Sequence, residues 1–233
     1  MRLNKKSLLS FLFGWCVIVS ALMFSIKAWA LNPNFYISLY DRMDLAEDLS
    51  VSKADLNASI ILLLDYLDGK ASSIDRTMKI AGKEQAVFDA KEKRHMVDVK
   101  ALYQHALWTG RIAGGIGILL FVLLMHSKNG LAFLTKGLLG ASFCFFIFVS
   151  FLALWMATDF TDFWIHFHGI FFQNQDWLLT PGKDFMIDML PEMVFEKLVV
   201  SIVLSFLVIL IVLNLFCVFY QIRKAPIGFE VEE

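Results

Sequence analysis

Residues 191–220 read PEMVFEKLVVSIVLSFLVILIVLNLFCVFY, and this stretch decides the fold class of the chain. It is long and apolar enough to form a helix that crosses a bilayer, which needs about 20 residues. Pro191 suits the first position of a helix, and Glu192 and Glu196 suit the positive end of the helix dipole. The sequence therefore predicts a membrane-spanning helix that begins at Pro191.

Three further stretches have the same character: residues 7–31, 101–125 and 132–158. The chain has 58% apolar and 18% charged residues, whereas a soluble domain has about 45–50% and about 25%. This composition excludes a cytosolic globular enzyme, a disordered chain and a disulfide scaffold, and the net charge of −1 gives no indication of nucleic-acid binding. We predict an all-α integral membrane protein with four transmembrane helices in a single membrane domain, residues 1–233.

The positions of the charges predict the orientation of the spans. Residues 159–197 carry seven acidic and two basic residues, a net charge of −5, and should face outward. We expect extracytoplasmic loops at residues 32–100 and 159–190, a cytoplasmic loop at 126–131 and a cytoplasmic tail at 221–233. Both termini would then be cytoplasmic. The basic residues at the predicted inner ends are Arg2, Lys5, Lys6, Lys128, Lys136, Arg223 and Lys224.

The first span allows a second interpretation. Its basic start, its apolar run and the sequence Ala28-Trp29-Ala30 also describe a secretory signal peptide, whose cleavage would leave three spans. The apolar run from Leu8 to Ile26 is longer than a typical signal-peptide core, which favours a retained anchor.

The first outer loop is predicted to be helical. Ser52 suits a helix N-cap, apolar residues follow at helical spacing, and Gly69 suits the stop. A second helix is expected to begin near Lys83 and to run directly into the second span. These two helices would form a helical extracytoplasmic cap.

The second outer loop contains residues 160–172, FTDFWIHFHGIFF. This segment is too short and too polar to span a membrane, and too apolar to lie in water. We therefore predict an interfacial or re-entrant aromatic loop, with its ionisable groups near the depth of a lipid ester.

Candidate catalytic residues cluster at the outer face. Glu92, His95 and Asp98 are spaced by three residues and would share one helix face, where the carboxylates could orient the imidazole. A solvated face in a charged run is the alternative for this motif. His168 could be a base in an apolar wall. His166 and His168 would lie on the same face only if this segment were extended, because in a helix they point in different directions. Arg111 could reach a lipid phosphate or pair with an acidic residue.

Two chemistries could use these groups. Imidazoles could transfer protons during acyl transfer on a lipid ester, with no metal. Alternatively, a metal could be bound. The zinc motif H-E-x-x-H is absent from the sequence. The motif G-x-S-x-G is also absent, so a covalent serine mechanism has little support. The candidate metal ligands are Glu92, His95, His166, His168 and Asp176.

Three motifs carry a resemblance to a known family. They are residues 57–69, NASIILLLDYLDG; residues 92–100, EKRHMVDVK; and residues 167–192, FHGIFFQNQDWLLTPGKDFMIDMLPE. Together with the four spans and two outer loops, they resemble the bacterial lipoprotein intramolecular transacylase (Lit) family over nearly the whole chain. The chain departs from the family pattern at Val194, where an aromatic residue is more usual.

The resemblance implies an activity and a location. Lit enzymes move the sn-2 acyl chain of a diacylglyceryl-modified lipoprotein to the α-amine of its N-terminal cysteine, which gives the lyso form. The expected location is the bacterial plasma membrane, with the active site facing the outer leaflet. We expect lipoproteins and membrane lipid as partners, no cofactor and a monomeric enzyme.

The resemblance also implies site residues. The two functional histidines of the family correspond to His95 and His168. Glu92 and Asp98 would orient His95, and Asn174 or backbone N–H groups could stabilise the oxyanion. The further supporting residues are Asp176, Arg111 and His166. A metal-dependent membrane hydrolase or oxidoreductase and a non-enzymatic assembly factor remain the alternatives.

Overall fold

The computed structural model describes residues 5–224. Its four long helices are each apolar and long enough to cross a membrane. They cover the four predicted spans and confirm the all-α, multi-pass fold class. Arg2 and the tail beyond Lys224, on which the predicted orientation partly depends, lie outside the described residues. The long helices are α1 (Lys5–Ala30), α5 (Ala90–Met125), α6 (Gly130–Thr158) and α9 (Glu192–Lys224).

Large apolar side chains cover the outside of these helices. Ile118, Phe151 and Val208 are each more than 60% exposed, and similar residues occur along all four helices. In water such a surface would drive aggregation, whereas in a bilayer it faces acyl chains of equal polarity. The exposed surface therefore supports a membrane protein independently of the sequence pattern.

One compact unit comprises residues 5–24, 108–154 and 204–224. Gly137 lies so close to the backbone of Ser10 that a side chain would not fit there. Asn214 donates a hydrogen bond of 3.0 Å to Ser142, and Gln221 donates one of 2.6 Å to Thr135. Small residues and buried amides of this kind hold helices together in lipid, where apolar side chains alone give little preference.

The second unit comprises residues 25–107 and 155–203. It includes three shorter helices, of which α4 begins and ends as the sequence predicts. The Ser52 hydroxyl accepts a hydrogen bond from the backbone N–H of Asp55, and Gly69 adopts the left-handed conformation that ends the helix. These helices are α2 (Pro33–Arg42), α3 (Leu45–Asp48) and α4 (Lys53–Asp68).

The helix predicted to begin near Lys83 begins instead at Ala90. Residues before it form an antiparallel hairpin, β1 (Thr77–Ile80) and β2 (Lys83–Ala86), joined by Ala81 and Gly82 at positive φ. This pair of residues gives the turn that matches the twist of a two-stranded ribbon. The prediction was wrong because the turn and the following helix cap override the helix propensity of β2.

The aromatic segment forms α7 (Phe160–Phe171), which is too short to span a bilayer. Asp159 separates it from α6, and the Asp159 side chain caps it by accepting a hydrogen bond of 2.8 Å from the backbone N–H of Asp162. A loop then leads to the short helix α8 (Phe185–Met189).

A hydrophobic core lies within this second unit. It joins the buried faces of α2 and α4 to the start of α5, to α8 and to the first turn of α9. Ile60, Met189 and Val194 are completely buried in it. This core fixes the start of α5, the helix that carries His95.

Candidate functional site

His95 of α5 and His168 of α7 lie side by side in the second unit. Their ring centres are 6.0 Å apart, and the two side chains are only 7% and 8% exposed. Buried histidines in contact with each other are uncommon in a structural core, because each imidazole needs polar partners. The structure thus brings together the two histidines singled out in the sequence.

The position of His95 follows from how α5 begins. The Asp89 carboxylate accepts a hydrogen bond from the backbone N–H of Glu92, and Glu92 accepts one from the N–H of Asp89, which together form a capping box. Helix α5 has 36 residues and is about 54 Å long, far longer than the hydrocarbon core of about 30 Å. Its charged first turns, including His95, therefore extend outside the span.

Glu92 does not orient His95 as expected. Its second oxygen accepts a hydrogen bond of 2.6 Å from the backbone N–H of Met186 in α8. The side chain is 1% exposed, and burial raises the pKa of its carboxyl against the opposing effect of the two backbone hydrogen bonds. Glu92 therefore joins α8 to the start of α5, and its carboxylate bonds to these two backbone N–H groups instead of to His95.

The ring of His168 has a defined tautomer. Its Nδ1 lies 2.7 Å from the carbonyl oxygen of Trp164, one turn earlier in α7. A carbonyl oxygen can only accept, so Nδ1 carries the proton and donates it. In the neutral ring Nε2 is then left with a lone pair, which is the state required of a general base.

Aromatic rings surround His168. Trp164 and Phe167 of α7 approach it edge-on, Phe172 lies tilted at 5.5 Å, and Trp177 stacks on it at 5.1 Å with an interplanar angle of 28°. This enclosure removes water from the imidazole and disfavours its charged form.

Both histidines are held in the neutral state. Burial and, to a smaller extent, the proximity of His168 together lower the pKa of His95 to about 4, against the weaker opposing effects of Asp98 and Asp176. Burial also lowers the pKa of His168, although the hydrogen bond to Trp164 opposes this shift. At neutral pH two uncharged imidazoles therefore face each other, one of which has an available base nitrogen.

His95 has an unused polar atom. Its Nδ1 is buried, and it has no hydrogen-bond partner among residues 5–224. A buried polar atom without a partner costs about 1–3 kcal/mol, so it needs an explanation, and a catalytic role is one of those that apply in native structures. This nitrogen can receive a hydrogen bond from a bound substrate or donate one to it.

Asp98 and Asn174 bond to each other rather than to the histidines. The Asn174 amide donates a hydrogen bond of 2.8 Å to Asp98, and its oxygen accepts one of 3.0 Å from the backbone N–H of Asp176. Asp176 in turn forms two hydrogen bonds of 2.9 Å with the guanidinium of Arg94. These contacts attach the loop after α7 to the helix that carries His95.

Comparison with known proteins identifies the family. The family model described as "Lipoprotein intramolecular transacylase Lit" matches residues 11–195. The chain belongs to the lipoprotein intramolecular transacylase (Lit) family. A comparison with curated proteins finds no match.

Solved structures of the Lit protein from Bacillus cereus have the same fold. One superimposes with a TM-score of 0.69 at 20% identity and covers 94% of this chain and 98% of that chain. A variant with a histidine-to-arginine substitution gives 0.67 at 19% identity, covering 94% of this chain and 93% of that chain. A variant with a histidine-to-alanine substitution gives 0.68 at 19%, covering 94% of each chain.

Two predicted supporting residues make no recorded contact with the histidine pair of this Lit family member. His166 is exposed, and its Nδ1 lies 2.9 Å from the backbone oxygen of Asp162 and 3.3 Å from its carboxylate. In the helix it points away from the face that carries His168. Arg111 belongs to the other compact unit, where its guanidinium lies 4.9 Å from the ring centre of Trp108.

The alternative metal site is not assembled by these residues. Within residues 5–224 no group of three or more His, Cys, Asp or Glu side chains could hold a metal ion. Glu92 bonds to backbone N–H groups, Asp176 to Arg94, and His166 to its own helix.

Sequence reasoning missed four residues around the site: Lys91, Arg94, Trp177 and Asp184. Asp184 is buried and accepts a hydrogen bond of 2.7 Å from the backbone N–H of Thr180, which lowers the pKa of its carboxyl. Asp184 and Trp177 both lie in the third family motif, and this was the only indication of their importance in the sequence. Lys91 and Arg94 lie on the helix that carries His95, but their partners are more than 80 residues away.

Proposed function

We propose that this Lit family member is the acyltransferase that converts diacylglyceryl-modified lipoproteins to the lyso form. The sn-2 acyl chain would move from the glyceryl oxygen to the α-amine of the N-terminal cysteine of the same molecule. The observation that supports this reaction best is the pair of buried, neutral histidines, with Nε2 of His168 available as a base.

The reaction needs proton transfer and positioning, since nucleophile and ester belong to one substrate. Nε2 of His168 takes the proton that leaves the attacking amine nitrogen as the nitrogen–carbon bond forms. The bond between the carbonyl carbon and the sn-2 oxygen then breaks, and the protonated His168 returns the proton to that oxygen. A neutral amine and an ester become an amide and an alcohol, with no acyl-enzyme and no metal.

His95 supplies a hydrogen bond to the oxygen atoms that gain charge. Its buried Nδ1 has no partner within residues 5–224, so it can donate to the leaving oxygen or to the tetrahedral oxyanion without losing another bond. The Asn174 amide nitrogen carries a second proton besides the one given to Asp98 and is a further candidate donor.

The site faces the outer leaflet under this proposal. The acidic second outer loop contributes α7 and the residues that follow it, while both termini are cytoplasmic according to the charge distribution. The substrates are lipoproteins anchored in that leaflet, and the enzyme acts as a monomer in the plasma membrane.

Mass spectrometry of lipoprotein N-terminal peptides tests the proposal. Cells that produce the protein should convert diacylglyceryl peptides to the lyso form, and His95→Ala or His168→Ala should abolish conversion. His166→Ala is the matched control, because His166 lies on the same helix but is exposed. An unchanged peptide population in cells with the wild-type protein would reject this function in favour of a non-enzymatic assembly role.

A further inference from the structure

The loop between α7 and α8 is fastened to one face of α5. Arg94 forms its two hydrogen bonds with Asp176, and Asp98 accepts the hydrogen bond from Asn174. Three helical positions earlier than Arg94, Lys91 donates to the carbonyl oxygen of Leu178 and pairs with the buried Asp184 at 3.4 Å. The face of α5 that carries His95 thus holds the loop at several points.

Trp177 lies between these attachment points. Its indole is half-buried and stacks on His168. Trp164, Phe167 and Phe172 belong to α7 or follow it directly, whereas Trp177 comes from the fastened loop. Its position over His168 therefore depends on the contacts of its neighbours with α5.

The hydrogen bonds between Arg94 and Asp176, which precedes Trp177, are strong for a pair at the protein surface. Two parallel N–H···O bonds between a guanidinium and a carboxylate fix the geometry of both partners, unlike a single ion pair. The Arg94 side chain is 61% exposed and that of Asp176 is 23% exposed. Such an exposed pair adds little to global stability. Its main effect would then be local, on the loop segment that carries Trp177.

We propose that Trp177 is a positioning residue that closes the His168 pocket against water, and that the Arg94–Asp176 and Asp98–Asn174 contacts hold it there. An imidazole shielded in this way stays neutral and keeps one ring orientation, with Nδ1 fixed on the Trp164 carbonyl. The catalytic consequence rests on the proposed function, whereas the shielding can be measured without any activity.

Covalent labelling of histidines with diethyl pyrocarbonate, read by peptide mass spectrometry, tests the shielding in the full-length protein. The reagent attacks neutral imidazole, and buried histidines react only when the structure opens locally. Trp177→Ala should raise the labelling rate of His168 about tenfold, because a stacked aromatic contact is lost. Trp177→Phe should stay near the wild-type rate, since a ring remains in place.

The ion pair gives a second, milder test. Arg94→Gln should raise His168 labelling by a smaller factor, and the exchanged pair Arg94→Asp with Asp176→Arg should restore protection. Arg76→Gln is the control: Arg76 pairs at 2.9 Å with Asp55 of α4 rather than with a residue of the loop, and its loss should leave His168 protected. The exposed His166 serves as an internal reference for the reagent.

Two results would overturn the proposal. The first is His168 labelling that does not change in Trp177→Ala. The second is an equal increase in Arg94→Gln and Arg76→Gln, since this would reveal general loosening rather than loss of a specific contact. If Trp177→Ala raises His168 labelling while cells with the wild-type protein do not convert lipoproteins, the shielding is correct and the proposed function is wrong. If the wild-type protein and Trp177→Ala convert lipoproteins equally well, the proposed function stands and the shielding has no catalytic role.

The kinetic readout links shielding to catalysis. Trp177→Ala should lower kcat more than it raises KM, because the residue positions the base rather than binding the acyl chains. Trp177→Phe should recover most of kcat. A variant that raises KM alone would mean that Trp177 binds substrate and has no positioning role.

Discussion

Nδ1 of His168 donates a hydrogen bond of 2.7 Å to the backbone carbonyl oxygen of Trp164. This contact is internal to α7, so the tautomer of the ring is set by the helix itself and needs no acidic partner. It distinguishes His168 from His95, whose Nδ1 has no partner in the part of the chain that the structure describes. The two histidines are therefore suited to different tasks.

We predict that His168 is a neutral Nδ1–H tautomer at pH 7, because burial lowers its pKa. Nitrogen-15 NMR of the protein labelled at histidine reports the protonation of each ring nitrogen. His168→Gln assigns the resonance. A protonated Nε2 at neutral pH would contradict the role of His168 as a base.

Stability should fall on mild acidification. The pKa values of His95 and His168 are lowered in the folded state, to about 4 for His95, so the unfolded chain binds more protons between that value and 6.5. The contribution of the neutral histidines to the free energy of unfolding is fully present above about pH 6.5 and is lost as the pH falls toward 4. For His95 this contribution is about 3 kcal/mol in total.

Melting temperatures in detergent at pH 7 and pH 5 test this linkage. The wild-type protein should melt at a lower temperature at pH 5, and His95→Gln should lose much of the difference. Equal melting temperatures of the wild-type protein at both values would show that neither histidine is buried in its neutral form.

Glu92→Gln should destabilise the protein by about 1–3 kcal/mol, since the amide keeps one acceptor oxygen and places an NH₂ group against the other backbone N–H. The Asp89 or the Met186 contact is thus lost, and α8 is less firmly joined to α5. Thermal melting measures the effect, and the control is Glu84→Gln, which changes an exposed residue of β2. Equal melting of the two variants would contradict the scaffold role of Glu92.

Removal of divalent metals should leave the activity unchanged. The His95 and His168 side chains perform the proton transfers in the proposed mechanism, and the three carboxylates proposed as ligands or supports are bonded to backbone, amide or guanidinium groups. Activity after treatment with a chelator, together with metal analysis of the purified protein, tests this. Loss of activity that one metal restores would favour a metal-dependent hydrolase.

The sequence predicts the parts of this fold that depend on local chemistry. Four apolar runs of sufficient length predict the four helices, and Ser52 and Gly69 predict both ends of α4. The hairpin before α5 was not predicted, because the short strand Lys83–Ala86 has no alternating apolar pattern and consists of good helix formers. The features of the sequence that indicated the hairpin were the Ala81–Gly82 turn and the capping box at Asp89.

The candidate site, too, could be predicted only in part from the sequence. His95 and His168 could be identified from their predicted placement at the outer face and from the family motifs. The partner of Glu92 could not be identified from the sequence, because Met186 lies 94 residues away and contributes only a backbone N–H. The same reason applies to Arg94 and Asp176, which are 82 residues apart and look like ordinary surface charges in the sequence.

A crossover experiment tests the central claim most directly. Two synthetic lipopeptides are mixed with the purified enzyme: one has a heavy peptide and light acyl chains, and the other has a light peptide and a heavy chain at sn-2 only. We predict that every N-acylated product keeps its original pairing, with the heavy sn-2 chain on its own cysteine nitrogen, and that His168→Ala gives no product. Mixed pairs, or a heavy chain that remains on the glyceryl group of the acylated product, would contradict the intramolecular sn-2 transfer.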